Sequence, residues 1–273
     1  VELADVQVVP QDSLSAPPHF GPGGSRLGVA LAGAVLGAAE KLTQKLSLVA
    51  AHLLQTEAGK IEFRDGAFAI RGVPGAMLSL AQVAGTMLAR SDLLPPGVEP
   101  SPEATYVWTA PGRTPADENG RAKSYLTAAN ACHLVRVEID PGTALVKIDG
   151  YWIADDCGVR LNPANVEGMI QGGVAQGVGA ALLEEYHYDE EGQPLTSTFM
   201  DYLLPTIHDV PTTQMAAIVT PSPFTPLGAK GVGEVHRRAA VDDGLERRRR
   251  VVRREARALG MVDEAPDDGR RGE

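Results

Sequence analysis

The residues best suited to chemistry lie in the segment Gly228–Glu234, which reads Gly-Ala-Lys-Gly-Val-Gly-Glu. Its three glycines lack a Cβ, so the backbone can turn tightly and approach another molecule closely. Lys230 carries an ammonium group and Glu234 a carboxylate, a pair that can bind an anion and place a general base beside it. Further donors are the backbone N–H groups of Gly231, Val232 and Gly233. A glycine-rich loop with two ordinary surface charges is the alternative, and it is the more common one for such a heptapeptide taken alone.

A second candidate site is the glycine-rich turn at 21–26, which precedes a predicted helix from Val29 to about Gln55. Unpaired N–H groups and the helix dipole attract anions to a helix N-terminus. We therefore nominate Gly24, Ser25 and Arg26 as anion ligands, and the guanidinium of Arg26 suits phosphate. The alternative is that the Ser25 hydroxyl caps the helix and that Arg26 lies at the surface.

The predicted helix after Asn162 is rich in small residues and carries two glutamines. Four small residues repeat at helical spacing on one face, namely Gly168, Gly172, Ala175 and Gly179. Because glycine inside a helix costs about 0.5–1 kcal/mol relative to alanine, close approach by a backbone or a ligand is the expected reason. Gln171 and Gln176 flank this face, and their amides suit a ring with mixed donor and acceptor edges, such as a pterin. Tight packing against another helix is the alternative, which the helix alone favours.

The sequence predicts no metal site made of protein side chains. Asp155 and Asp156 are adjacent carboxylates, but no further ligand follows at a suitable spacing. The six histidines show no zinc motif and are interpreted as surface or satisfied core residues: His19, His52, His133, His187, His208 and His236. Cys132 and Cys157 form no Cys-x-x-Cys pair, so neither a disulfide framework nor an iron–sulfur cluster is indicated, and a reducing cytoplasm is the expected location.

A mixture of long helices and hairpin strands would position these residues, which predicts an α+β fold. The clearest hairpin has strands over Lys60–Phe63 and Ala67–Arg71 around Asp65-Gly66. The other predicted elements are helices over Ser79–Ala89 and from Asn162 to about Tyr186, a C-cap at Gly59, and strands over Cys132–Asp140, Leu145–Ala154 and Met215–Thr220. We expect a first subdomain over 1–130 and a second over 131–235.

The composition is that of a globular protein, with 44% hydrophobic and 22% charged residues among 273. There is no apolar run of about 20 residues and no basic leader, so neither a membrane segment nor a signal peptide is predicted, and the missing initiator Met suggests a chain cut from a longer one. The net charge of −10 disfavours nucleic-acid binding. Residues 236–273 hold eleven Arg and nine acidic residues. This tail is predicted to be disordered or the product of a frame shift, and a basic tail for an acidic partner is the alternative.

Several short motifs occur in a fixed order: Asp156-Cys157-Gly158, Asn162-Pro163, Glu167–Gly173, Gln176–Gly179, Asp201-Tyr202, Thr220–Pro223 and the Gly228–Glu234 loop. From about Phe20 to Glu234 the series resembles the C-terminal part of the large subunit of the xanthine dehydrogenase, aldehyde oxidase and aerobic carbon monoxide dehydrogenase family, which binds the molybdenum cofactor. The resemblance implies a molybdenum-cofactor-binding domain of two α+β subdomains, truncated at the N-terminus and divergent after Val235.

The resemblance also implies roles for the candidate residues. It makes Glu234 the general base beside the molybdenum, which the dithiolene of the pterin would hold without a protein ligand. It assigns Gln176 to the pterin and the turn before the first helix to the pyrophosphate, and it favours the cytosine dinucleotide form of molybdopterin. The cofactor-binding set is then Gly24, Ser25, Arg26, Gln171, Gln176, Lys230, Gly231, Val232 and Gly233.

Partner chains and a reaction follow from the same resemblance. It implies oxidative hydroxylation of an aldehyde, an N-heterocycle or carbon monoxide, with electrons leaving through an iron–sulfur small subunit and an FAD-binding medium subunit. The intact enzyme would be a dimer of heterotrimers. The alternative is an inactive truncated fragment or a non-catalytic module for cofactor binding or assembly.

Overall fold

The chain was analysed as a computed structural model, which describes residues 1–9, 12, 14, 21–112, 114–123, 127–143 and 145–237. Two compact units are present: Val1–Gly21 with Ala30–Ala110, and Pro22–Val29 with the described residues after Ala110. Each unit combines helix with a three-stranded sheet, which confirms the predicted α+β class. Within the described ranges, no helix is both long and apolar enough to cross a bilayer. The sequence-based division at residue 130 stays a prediction.

The first unit packs two helices with a small antiparallel sheet. Its elements are most of helix α1 (Leu27–Leu53), strands β1 (Ile61–Arg64), β2 (Ala67–Ile70) and β3 (Met77–Ser79), and helix α2 (Leu80–Ala89). The sheet order is β1-β2-β3. Val49, Phe68, Val83 and Met87 are fully buried and form the centre of its hydrophobic core.

Local signals explain the ends of these elements. Asp65 and Gly66 both have positive φ, at 50° and 75°, as a type I′ hairpin turn requires. Ser79 begins α2 with a capping box, because its hydroxyl accepts from the Gln82 N–H. The cap expected at Gly59 is wrong: α1 ends at Leu53, and Gln55 takes the positive φ of 55°. β3 was not predicted.

The second unit contains a long hairpin, a parallel edge strand and a helix. Its elements are β4 (Asn130–Ile139), β5 (Val146–Asp156), helix α3 (Pro163–Leu182) and β6 (Thr213–Ala217). β4 pairs antiparallel with β5, and β6 runs parallel to β5 on its other side. Asn162 caps α3 by accepting from the Asn165 N–H at 3.1 Å.

The second core joins β5 to α3. It is centred on Tyr151 and Ile153 of the strand and on Ile170, Val174 and Val178 of the helix. α3 ends at Leu182, earlier than the predicted Tyr186.

Candidate functional site

The glycine-rich loop is hydrogen-bonded to residues 157–159, which follow β5. Gly158 and Ala229 form an antiparallel bridge, and the Lys230 N–H donates to the Cys157 carbonyl at 2.8 Å. The Val159 N–H donates to the Gly228 carbonyl at 3.1 Å. Gly158 has φ +69°, and a Cβ there would clash with the Gly228 carbonyl oxygen, so this crossing requires glycine.

A buried ion pair strengthens the same crossing. The Lys230 Nζ lies 3.2 Å from Asp156 Oδ2, and the two side chains are only 9% and 12% exposed. Burial opposes ionisation of Asp156, but hydrogen bonds from the Gly158 N–H, from Thr220 and from Lys230 outweigh it and lower its pKa to about 2. The side chain of Lys230, nominated as a cofactor contact, therefore binds a carboxylate that the sequence did not assign to it.

Ser25 joins the turn before α1 to the loop. Its hydroxyl accepts from the Gly233 N–H at 3.1 Å and donates to Glu234 Oε2. A Cβ added to Gly231 would lie 3.0 Å from Ser25 Cβ and 3.5 Å from the Gly24 carbonyl oxygen. The candidate residues of the turn at 21–26 and those of the Gly228–Glu234 loop are thus brought together. The alternative in which the Ser25 hydroxyl caps the helix is wrong, because α1 begins at Leu27 and the hydroxyl bonds to the loop instead.

Glu234 lies in a helical turn over 233–237 and is exposed, whereas Val232 before it is buried. Among the described residues, the Glu234 carboxylate faces solvent and the Ser25 hydroxyl. Arg26 is half-buried, next to Ser25. His236, assigned by sequence to the tail, is fully buried in this turn, so the folded chain extends at least two residues beyond the expected end. Residues 238–273 lie outside the described part.

Helix α3 turns only part of its small-residue face to the core. Its buried residues are Ile170, Gly173, Val174, Gly177, Val178, Gly179 and Ala181. Of the four small residues on the predicted face, Gly179 is buried, whereas Gly168 and Gly172 are exposed, and a Cβ on either exposed glycine would meet no described atom within 4 Å. Gln171 and Gln176 are exposed as well. We call the exposed surface of Gly168, Gly172 and Gln176 the open face of α3.

Gly173 is the point at which α3 meets the loop. A Cβ there would lie 2.9 Å from His236 Cβ and 3.2 Å from the Gly233 carbonyl oxygen. Gln176 follows Gly173 by three residues and Gly172 by four, and such residues are neighbours on a helix surface. The open face therefore begins directly beside the turn that carries Glu234.

A buried polar network that the sequence did not predict underlies this turn. Asp155 is fully buried, and its carboxylate bonds to His236 Nε2 at 3.0 Å and to Arg160 Nη2 at 3.2 Å. His236 Nδ1 lies 3.2 Å from His133 Nε2, and His133 Nδ1 lies 2.9 Å from the Tyr151 hydroxyl.

Burial lowers the pKa of both histidines in this network. The pKa of His133 falls to about 4, mainly through burial and then through His236. Burial likewise lowers the pKa of His236, against the opposing influence of Asp155. His133 occupies the apolar phase of the alternation in β4. It is half-buried there, and both of its ring nitrogens have hydrogen-bond partners. Within the described ranges, no group of three or more His, Cys, Asp or Glu could hold a metal ion.

Comparison with known proteins identifies relatives of the chain. A family model described as a molybdopterin cofactor-binding domain matches residues 1–211, so it ends before the glycine-rich loop. The nicotine 6-hydroxylase large subunit of Paenarthrobacter nicotinovorans is 37% identical over 239 residues, which are 85% of this chain and 28% of that protein.

Two solved structures resemble the chain at the level of the fold. Quinoline 2-oxidoreductase from Pseudomonas putida 86 is 37% identical with a TM-score of 0.66, over 80% of this chain and 26% of that one. Reconstituted CO dehydrogenase from Oligotropha carboxidovorans is 28% identical with a TM-score of 0.71, over 91% of this chain and 31% of that one. The chain thus spans between a quarter and a third of the length of these relatives.

Proposed function

The chain belongs to the molybdopterin cofactor-binding domain family, and on that premise we propose that it binds molybdopterin between the open face of α3 and the glycine-rich loop. The family resemblance inferred from the sequence motifs is confirmed. The activity that we propose is oxidative hydroxylation of a small aldehyde, N-heterocycle or carbon monoxide by the large subunit of which this chain is a part. One observation carries the proposal: an exposed, glycine-bearing helix face lies beside the turn that holds Glu234.

The residues on this face fit a flat, polar ring. Gly168 and Gly172 offer helix backbone without side chains, which allows a ring to approach closely. The amides of Gln171 and Gln176 are exposed and can both donate to and accept from such a ring. On the loop side, the backbone of Gly231, Val232 and Gly233 would contact the ring. The ammonium group of Lys230 is paired with Asp156, so Lys230 would hold the loop in place rather than bind the cofactor through its charge.

The turn before α1 supports the assignment of the anionic part of the cofactor. Gly24 is exposed with a positive φ of 74°, and Ser25 beside it is tied to the loop. We assign Gly24, Ser25 and Arg26 to the pyrophosphate, because backbone donors and a guanidinium suit phosphate. The cytosine dinucleotide is the form that we propose, because the family resemblance stated above favours it.

Glu234 is the residue that we propose as proton acceptor. Its carboxylate accepts from the Ser25 hydroxyl, which restrains the side chain in one direction. When bound, the cofactor supplies a redox-active metal that accepts the two electrons of the hydroxylation. Water would supply the oxygen atom, and the oxidation would release two protons with the two electrons. Glu234 would take up one of these protons as a general base, and the other would pass to solvent.

We propose an iron–sulfur small subunit and an FAD-binding medium subunit as partners, in a dimer of heterotrimers. The nicotine 6-hydroxylase relative is a large subunit, which supports a multi-subunit enzyme. We propose that the electrons leave through these partner chains, since two cysteines are too few to ligate an iron–sulfur cluster in this chain. Two free thiols also support the proposed cytoplasmic location.

The test is to count molybdenum and pterin per chain. The full-length large subunit would be purified from a host that makes the cofactor and analysed by elemental analysis, pterin fluorescence and nucleotide release. We expect Gln176→Ala and Gly172→Val to lower molybdenum occupancy, whereas Gln193→Ala, at an exposed glutamine outside α3 and the glycine-rich loop, leaves it unchanged. Equal occupancy in all four proteins would refute the assignment of the open face.

Binding without turnover is the second candidate, and the exposure of Glu234 favours it. A general base works best when water is excluded, and here the carboxylate faces solvent in the described chain. The two candidates differ in one measurement. A cofactor-loaded protein that oxidises none of the three substrate classes with an artificial electron acceptor would be a binding module.

A further inference from the structure

His236 belongs to the turn that carries Glu234, and it is buried against Asp155. We propose that His236, held by Asp155, is a positioning residue that sets the direction in which Glu234 points. The proposal rests on the proposed function of Glu234 as the proton acceptor, but the contact that it concerns can be measured without the cofactor.

The directions of the hydrogen bonds follow from chemistry. Asp155 as a carboxylate only accepts, so the Nε2–H of His236 must donate to it. A neutral His236 then has its lone pair on Nδ1, which accepts from the Nε2–H of His133. The Nδ1 of His133 in turn accepts from the Tyr151 hydroxyl. Every ring nitrogen of both histidines is thereby satisfied, and the imidazole of His236 has a single permitted orientation.

Helix geometry transmits this orientation to Glu234. Residues two apart on a helix project about 200° apart, so Glu234 points away from the core when His236 points into it. The structure has this arrangement, with His236 at 0% exposure and Glu234 exposed toward Ser25. A turn that lost its buried anchor could rotate, and rotation would move the carboxylate away from the Ser25 hydroxyl.

The surroundings favour a fixed anchor. Arg160 supplies a positive charge to Asp155 at 3.2 Å, and its own side chain is 13% exposed, so the carboxylate is compensated without protonation of His236. Gly173 of α3 brings the helix against His236 Cβ, which leaves little space for another rotamer. Cys157, the remaining titratable group facing Asp155, is buried, and burial followed by Asp155 raises its pKa, so it stays a neutral thiol.

The experiment compares His236→Leu with His236→Gln in the full chain. Leucine removes the donor, whereas the glutamine amide can still reach and donate to Asp155. The reporter is hydrogen exchange of the Gly233 amide, which donates to Ser25 Oγ, with the amides of β5 as the control for folding. We expect protection of Gly233 to fall about tenfold in the leucine variant and to be retained in the glutamine variant, while β5 stays protected.

A second arm uses the cofactor-loaded large subunit. There we expect kcat to fall about a hundredfold in His236→Leu with KM unchanged, and to recover in His236→Gln. Equal Gly233 protection in the leucine and glutamine variants would overturn the proposal. If leucine prevents folding, His236→Asn, whose amide is too short to reach Asp155, replaces it in the same comparison. Failure to bind molybdenum would refute the proposed function alone, since the exchange arm needs no cofactor.

Discussion

Replacing Gly173 with alanine places a methyl group against the turn that carries Glu234. Its Cβ would lie 2.9 Å from His236 Cβ, 3.2 Å from the Gly233 carbonyl oxygen and 3.3 Å from the Arg237 amide nitrogen. Two of these neighbours are backbone atoms, so the clash cannot be relieved by rotating a side chain. The adjacent Gly172 offers a matched control, because a Cβ there meets no described atom within 4 Å.

The magnitude follows from two opposing effects. Alanine gains about 0.5–1 kcal/mol over glycine inside a helix, and this gain is common to both variants. Overpacking costs about 1–3 kcal/mol, and only Gly173→Ala incurs it. We therefore expect Gly172→Ala to be slightly more stable than the parent and Gly173→Ala to be less stable than Gly172→Ala by about 1–3 kcal/mol.

Urea unfolding measures this difference. The chain has two tryptophans, Trp108 in the first unit and Trp152 in the second, so a Trp108→Phe background lets Trp152 alone report on the second unit. With a urea dependence of about 2 kcal/mol per molar, a difference of about 2 kcal/mol separates the midpoints by about 1 M. If Gly173→Ala unfolds at the same or a higher urea concentration than Gly172→Ala, the packing of the loop on α3 is refuted.

Three other perturbations address the buried network and the loop. The pKa of His133 is about 4 in the folded chain and about 6.5 in the unfolded chain, so the unfolded chain binds a proton at higher pH than the folded chain does. As the pH falls from about 6.5 to about 4, the free energy of unfolding should therefore decrease by roughly 2–3 kcal/mol. A pH series of urea midpoints should become flatter over that range in His133→Phe, and an unchanged slope contradicts the prediction. Lys230→Met leaves the buried Asp156 carboxylate without its cation and should lower the free energy of unfolding by about 2–4 kcal/mol. The control is Lys60→Met, which removes an exposed ion pair and should lower it by less than about 1 kcal/mol. Urea unfolding measures both values. Ser25→Ala removes a hydroxyl that bonds twice to the turn and should cost about 1–2 kcal/mol, and an unaltered melting temperature would argue against those bonds.

The parts of the fold predicted from sequence are those that short segments encode. Asp65-Gly66 selects a hairpin turn, Ser79 caps α2 and Asn162 caps α3, and each depends on atoms within a few residues. The small residues of α3 do not by themselves decide between packing and ligand approach, and the apolar residues decide which face meets the core. Burial of Ile170 and Val174 outweighs any gain from packing small residues, so the glycines at 168 and 172 turn outward.

The candidate site was predictable in its composition but not in its contacts. Ser25 and Glu234 are separated by 209 residues, and Asp156 and Lys230 by 74, so no local spacing encodes either pair. His236 was missed because the arginine-rich composition around it indicates an exposed tail, whereas one buried carboxylate holds it in the core. The roles of the nominated residues toward the cofactor stay predictions.

The second unit is discontinuous, because Ala30–Ala110 of the first unit is inserted between Val29 and Pro111. On the ribosome, Ser25 therefore emerges long before its partner is translated. At about 5–20 residues per second, the 209 residues to Glu234 take roughly 10–40 s. The inserted unit, with its local hairpin and contiguous core, can fold within that interval. The contact between the Ser25 hydroxyl and Glu234 can form only after Glu234 has been synthesised, so this part of the site is completed after the inserted unit has had time to fold.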